Sequence, residues 1–300
     1  MSKSKPNNIA TPLARKAVLV SVNISQWTAR KLDKRVTDEV NREHGAAGNA
    51  GRYNKLLIEA ERLAKITSLV SSARALHYGM TRPWADEGPR ILPNALFVKF
   101  SDEFRKLKRE FEQAANEFAD GYPRFVEERK HALNGLYNES DYPDVSEIRA
   151  KFKLEMTILP FPDAADFRSD LDEDTVDDIR REIAETSSRV VDDAMRHTAE
   201  QIIGVVGHVG TKLKEYNAGA KGNGKRSFFL DSLIDNVRDL VDLLPAFNLT
   251  EDPKLTQIIA RIQKELCAED AGELRKNDAA RESVQKSADE IVAAVSQFLA

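Results

Sequence analysis

Phenylalanine recurs on a seven-residue beat through the middle of this chain: Phe97, Phe100, Phe104, Leu107, Phe111, Ala114, Phe118 and, past a break, Phe125. Steps of three and four place these residues on one stripe of an α-helix, and a stripe held for three heptads predicts the seam of a coiled coil or a long helical hairpin. So much apolar surface on one helical face has to be covered by other helices or by a second copy. Charged residues make up 31% of the 300 residues, and Gly and Pro number only 14 and 11, as long solvated helices require. The predicted fold class is mainly α, with long amphipathic helices, helical hairpins and a small two-stranded β element.

The β element comes from two alternating segments. Val18, Val20, Val22 and Ile24 alternate with Leu19, Ser21 and Asn23, and Phe152, Leu154, Met156 and Ile158 alternate with Lys153, Glu155 and Thr157. Each reads as a half-buried strand, and either alone is marginal, so the two are expected to form a ribbon. Ser25 is expected to cap a basic helix over 25–42, and a second helix over 53–76 to turn Leu56, Leu57, Ala60, Leu63, Ala64, Thr67 and Val70 inward. The three-proline stretch TRPWADEGPRILP reads as a loop before the phenylalanine helix over 93–120, which Gly121 and Pro123 should interrupt. A long helix over 174–216 follows, with a kink or a tight crossing at Gly204, Gly207 and Gly210. Pro245 should stop a helix from Phe228 to Leu244, Pro253 should open the next, and a last helix should span 273–299. The organisation expected is a flexible tail over 1–12, an N-terminal helical region with the ribbon over 13–162, and a C-terminal helical region over 163–300.

The charge balance narrows the function classes. A net charge of −4 provides no global field for nucleic acid, so such binding would have to be local, weak and salt-sensitive. The candidate contacts are Arg30, Lys31, Lys34 and Arg35 beside Trp27, and Lys221, Lys225 and Arg226 in a glycine-rich stretch. That stretch fits seven positions of a phosphate-binding loop, but Arg226 occupies the eighth and a helix end precedes it. Asp170, Asp172 and Asp174 imitate a calcium loop without its sixth glycine or twelfth glutamate, and read instead as the acidic start of a helix. Asp193 and His197 stand one turn apart with no third ligand in reach, and His208 lies too far along the helix. No catalytic residue, cofactor or metal follows. The single Cys267 reads as a buried thiol in a reducing cytoplasm; neither a secretion signal nor a membrane span is expected.

The central segment carries a more specific pattern. The spacing FxxxFxxxxxxF from Phe100, then GYP at 121–123, ALNGLYNESDYPDVSEIRAKF and ILPFPDAADFR, resembles an uncharacterised family of tailed-phage and prophage proteins over about 90–185. Members of that family often lie near genes for a MoxR-type AAA+ ATPase and a von Willebrand A protein similar to a cobaltochelatase subunit. The resemblance implies a phage or prophage protein with a protein partner, an AAA+ ATPase among the options, and carries no catalytic residues. Together these readings describe a non-enzymatic adaptor or structural protein that acts through protein contacts or self-association. The alternative is a nucleic-acid-binding module of phage DNA metabolism.

Overall fold

Helix dominates the computed structural model, which describes residues 15–167, 169, 171–221, 232–268 and 270–299. The chain divides into two compact units: Met1–Val20, Met80–Val98 and Ile158–Ala300 form one, and Ser21–Gly79 and Lys99–Thr157 form the other. The expected C-terminal region 163–300 therefore falls wholly in the first unit, whereas 13–162 is shared between both. The expected tail over 1–12 lies outside the described residues. None of the described helices is long and apolar enough to cross a membrane.

The second unit holds the phenylalanine seam. Strand β1 spans Ala17–Ser25 and ends where a helix was expected to begin. Ser25 does not cap; its hydroxyl donates to the Lys151 carbonyl at 2.9 Å. Ala29 takes a left-handed conformation (φ 52°), which an L-residue cannot sustain along a helix. The chain instead forms β2 (Arg30–Leu32), and helix α1 (Lys34–Glu43) starts only where the Asp33 carboxylate accepts the Val36 amide at 3.1 Å. Strand β3 (Asn54–Leu56) pairs antiparallel with β2, so the second expected helix begins late, as α2 over Ala60–Gly79. Its buried face is Leu63, Ile66, Val70, Ala73 and His77; Ala60, Ala64 and Thr67, expected inside, are exposed.

Helix α3 (Asn94–Leu133) runs 40 residues and carries Pro123 within it, so the expected interruption does not occur. Proline inside a helix costs about 3 kcal/mol. Aromatic packing on both sides of the site opposes that cost: Phe118 lies 5.8 Å from Phe125 and 5.6 Å from Phe152, and Tyr122 lies 5.7 Å from Trp27. Phe104, Phe111, Ala114 and Phe118 share one core with Leu63, Ile66 and Val70 of α2, so the stripe is covered from within the chain. Ion pairs Arg62–Glu128 (2.9 Å) and Lys65–Glu117 (3.0 Å), and the His77–Phe100 ring contact, order α2 and α3 as an antiparallel hairpin. The short helix α4 (Val145–Ala150) adds Ile148 to this core.

The first unit is a helical bundle with a sheet at its edge. The stretch read as a loop contains β4 (Arg82–Pro83) and β5 (Arg90–Pro93), whose prolines mask the strand pattern. They pair antiparallel, and β5 pairs antiparallel with β1, Leu19 opposite Ile91. With β6 (Lys153–Pro160) next to β1, the order is β4-β5-β1-β6; the expected ribbon of two strands, β1 with β6, is one side of a four-stranded sheet, with β6 at the edge. Ala17 and Leu19 of β1 belong to the first unit's core, Val22 and Ile24 to the second's.

Helix α5 (Glu173–Lys221) is 49 residues long and is not broken at its glycines. Asp172 caps it, accepting the Thr175 amide at 2.9 Å, as the acidic-start reading expects; Asp170 lies outside the described residues. It packs with α6 (Ser232–Phe247), α7 (Pro253–Leu266), α8 (Ala271–Lys276) and α9 (Asp278–Leu299) around Ile202, Val209, Leu213, Leu244, Ile262 and Ile291. The tight crossing is at Gly210, where a Cβ would meet Ala288 at 3.6 Å and Asp289 Oδ1 at 3.3 Å; at Gly204 it would meet nothing within 4 Å. Pro253 opens α7 as expected, but Pro245 lies inside α6, and the expected last helix is split at Asn277 into α8 and α9.

Candidate functional site

The β2–β3 ribbon fixes the sequence-derived basic residues of the second unit. Directly opposed residues of an antiparallel pair share a face. Arg30 and Leu32 stand opposite Leu56 and Asn54 on one face, and Lys31 stands opposite Lys55 on the other. Arg30, Lys31, Lys34 and Arg35 are all exposed, yet they do not form the single helical patch expected of them. Arg30 faces outward with two leucines, Lys31 lies 3.5 Å from Asp141, and Lys34 and Arg35 open α1. Lys221 is the last residue of α5, in the other unit, and Lys225 and Arg226 lie outside the described residues.

Behind the ribbon sits a buried ionic group. Lys55 is 3% exposed, and its ammonium lies 2.6 Å from Asp141, 3.4 Å from Asp33 and 2.7 Å from the Leu136 carbonyl. Two carboxylates and a carbonyl offset the desolvation of one buried cation. Asp33 also serves α1, and the Val36 amide, followed by Lys55, holds its carboxyl below the usual carboxylate range. Tyr142, whose hydroxyl donates to the Leu57 carbonyl at 3.0 Å, is pushed up to about 12 by burial. These contacts tie β3 down at its middle residue, Lys55, and at Leu57 just past its end.

A cleft of about 560 Å³ opens beside this anchored ribbon, walled by Trp27, Leu56, Ile58, Leu63 and Thr67. Arg30 is the one charged residue of its lining. The exposed Ala60 and Ala64 belong to the same wall, so part of the apolar stripe expected to be core is the side of a cleft. Trp27 is held edge-on to Tyr122 at 5.7 Å, which fixes its ring at the cleft without burying it. The volume lies in the range of pockets that take a small ligand or a group of side chains. Nothing here is arranged for acid–base chemistry: the lining is apolar apart from Gln26, Thr28, Arg30 and Thr67.

The first unit carries a residue that sequence reasoning missed. Arg82 is 1% exposed; its guanidinium donates to Thr198 Oγ1 (3.0 Å), the Thr81 carbonyl (3.0 Å) and Gln201 Oε1 (2.7 Å), and lies over the Phe247 ring at 3.4 Å. Burial, reinforced by the charge of Arg90, pushes it down to about 9, so it remains a cation at neutral pH. Its role is to clamp β4 onto α5 and α6. The motifs that were set aside stay apart: Asp193 pairs with Arg196 at 2.6 Å rather than with His197, and residues 219–221 continue α5 instead of leaving a strand. Among the described residues, no group of three or more His, Cys, Asp or Glu side chains is placed to hold a metal. Cys267, at the end of α7, is half-buried, and burial raises its thiol pKa. No family model, curated protein or solved structure matches the chain.

Proposed function

We propose that this chain is a non-enzymatic adaptor or structural protein of a phage or prophage, acting in the host cytoplasm through protein–protein contacts made at the ribbon cleft. The observation that carries this reading is the cleft's composition: a fixed tryptophan, an aliphatic lining in which Leu56, Ala60 and Ala64 are exposed over the buried Ile58 and Leu63, and a lone cation. Such a lining fits a protein segment that presents apolar side chains together with a carboxylate, the combination from which interface anchors are built. The family resemblance supplies an AAA+ ATPase as one partner to examine. Capture by tagged wild-type chain from infected cells, compared with a chain carrying Leu56→Glu and Thr67→Glu, tests it. A protein retained only by the wild type, and unaffected by nuclease, is expected; identical captures by the two chains would end the proposal.

Trp27 beside Arg30 also favours a second reading, single-stranded nucleic acid, because a ring next to a guanidinium can stack a base and hold a phosphate. In that case affinity should fall steeply with salt and largely vanish when Arg30, Lys31, Lys34 and Arg35 are all replaced by alanine. Salt-independent binding would favour the protein partner.

A further inference from the structure

The first unit has a second cleft, on α5, built from different residues. A cavity of about 230 Å³ lies between Trp84, Pro162 and the helix side chains Ile179, Ile183 and Ser187. Its walls are anchored by contacts behind them. Arg82 clamps β4, and two residues on, Trp84 packs edge-on against the buried Phe161 at 5.1 Å, next to Pro162. Ser187 is fully buried where it lines the cavity, so the apolar side chains around it form the accessible surface.

The cavity does not end at Ser187. Glu182 and Thr186 line it and also line an adjoining shelf of α5 with Glu185, Arg189 and Asp192. Three carboxylates face one guanidinium there, and Arg189 is engaged with the Thr186 hydroxyl at 3.1 Å. The volume is below the roughly 300–1,000 Å³ of pockets for drug-sized ligands, and suits one large side chain. We infer that this groove receives a protein segment carrying a single aromatic anchor, flanked by lysines or arginines that meet the acidic shelf. The surface is distinct from the ribbon cleft in residues, in unit and in the charge it selects.

The chain has two tryptophans, and each lines one of the clefts. Fluorotryptophan labelling of the full chain therefore gives one fluorine resonance per cleft, assigned with Trp27→Phe. The probe is the blocked peptide Gly-Lys-Arg-Trp-Arg-Lys-Gly. The Trp84 resonance should shift saturably on titration up to about 1 mM, with that of Trp27 unmoved. Exchanging the peptide's tryptophan for alanine, or its basic residues for glutamate, should weaken binding at least tenfold. Ser187→Leu, which fills the cavity, should abolish the shift. Glu182→Lys with Glu185→Lys, both on the exposed helix surface, should weaken it tenfold without depending on the core. No saturable shift of Trp84, equal shifts of both tryptophans, or a Trp84 shift produced by raising the concentration of the chain alone would each overturn the inference. The last would mean that a second copy fills the groove.

Discussion

Lys55 shows how far a single residue can lie from what its type suggests. A lysine in a short polar segment reads as surface, yet Lys55 is buried between Asp33 and Asp141, the latter far away in sequence. Asp141→Ala should cost about 3–5 kcal/mol in urea denaturation, because it leaves a buried ammonium short of its nearest counter-charge. The double replacement Lys55→Met with Asp141→Leu should recover most of that loss; equal destabilisation by both would show that packing, not charge, dominates. Asp33 adds a pH dependence. Its folded-state pKa is depressed, so its contribution is present above the unfolded value, about 3.9, and is lost as pH falls through the folded one. Asp33→Asn keeps the cap but removes the charge, and should flatten the stability curve below about pH 4. An unchanged acid limb would contradict this assignment. Arg82 was illegible for the same reason as Lys55: sequence shows a guanidinium but not the hydroxyl, carbonyl, amide and ring that surround it.

Among the elements, length decides what can be read. The phenylalanine stripe and the face of α5 repeat over many turns, so their periodicity survives local noise, and both were legible. Strands β2, β3, β4 and β5 have two to four residues each, too few for a period of two to register, and two of them end in proline. The walls of both clefts were illegible with them, since Leu56 and Trp84 stand on or next to those strands. Phe111→Ala should cost about 3–5 kcal/mol, as the loss of a filled core site; a change under about 1 kcal/mol would place the stripe in solvent. The glycines of α5 should separate in a melting series. Gly204→Ala has open space and should stabilise by about 0.5–1 kcal/mol, whereas Gly210→Ala must displace Asp289, which is paired with Lys214 at 2.9 Å, and should gain less or lose. Equal gains at both positions would argue against a tight crossing with α9.

For the whole molecule, the sequence gives the fold class but not how the chain is apportioned, because β1, α3 and β6 each contribute residues to both units. Binding of a partner at the ribbon cleft, as proposed above, does not require nucleotide turnover. Wild-type chain with ATP and magnesium should show no hydrolysis above a Lys225→Ala control; lysine-dependent turnover would overturn the non-enzyme reading. The most direct measurement is photo-crosslinking in infected cells with benzoylphenylalanine placed at Leu56, on the cleft, and at Val98, an exposed control position. A discrete adduct to another protein at Leu56, nuclease-resistant and absent at Val98, is the result an adaptor gives. An adduct to nucleic acid, or identical products from both positions, would contradict it.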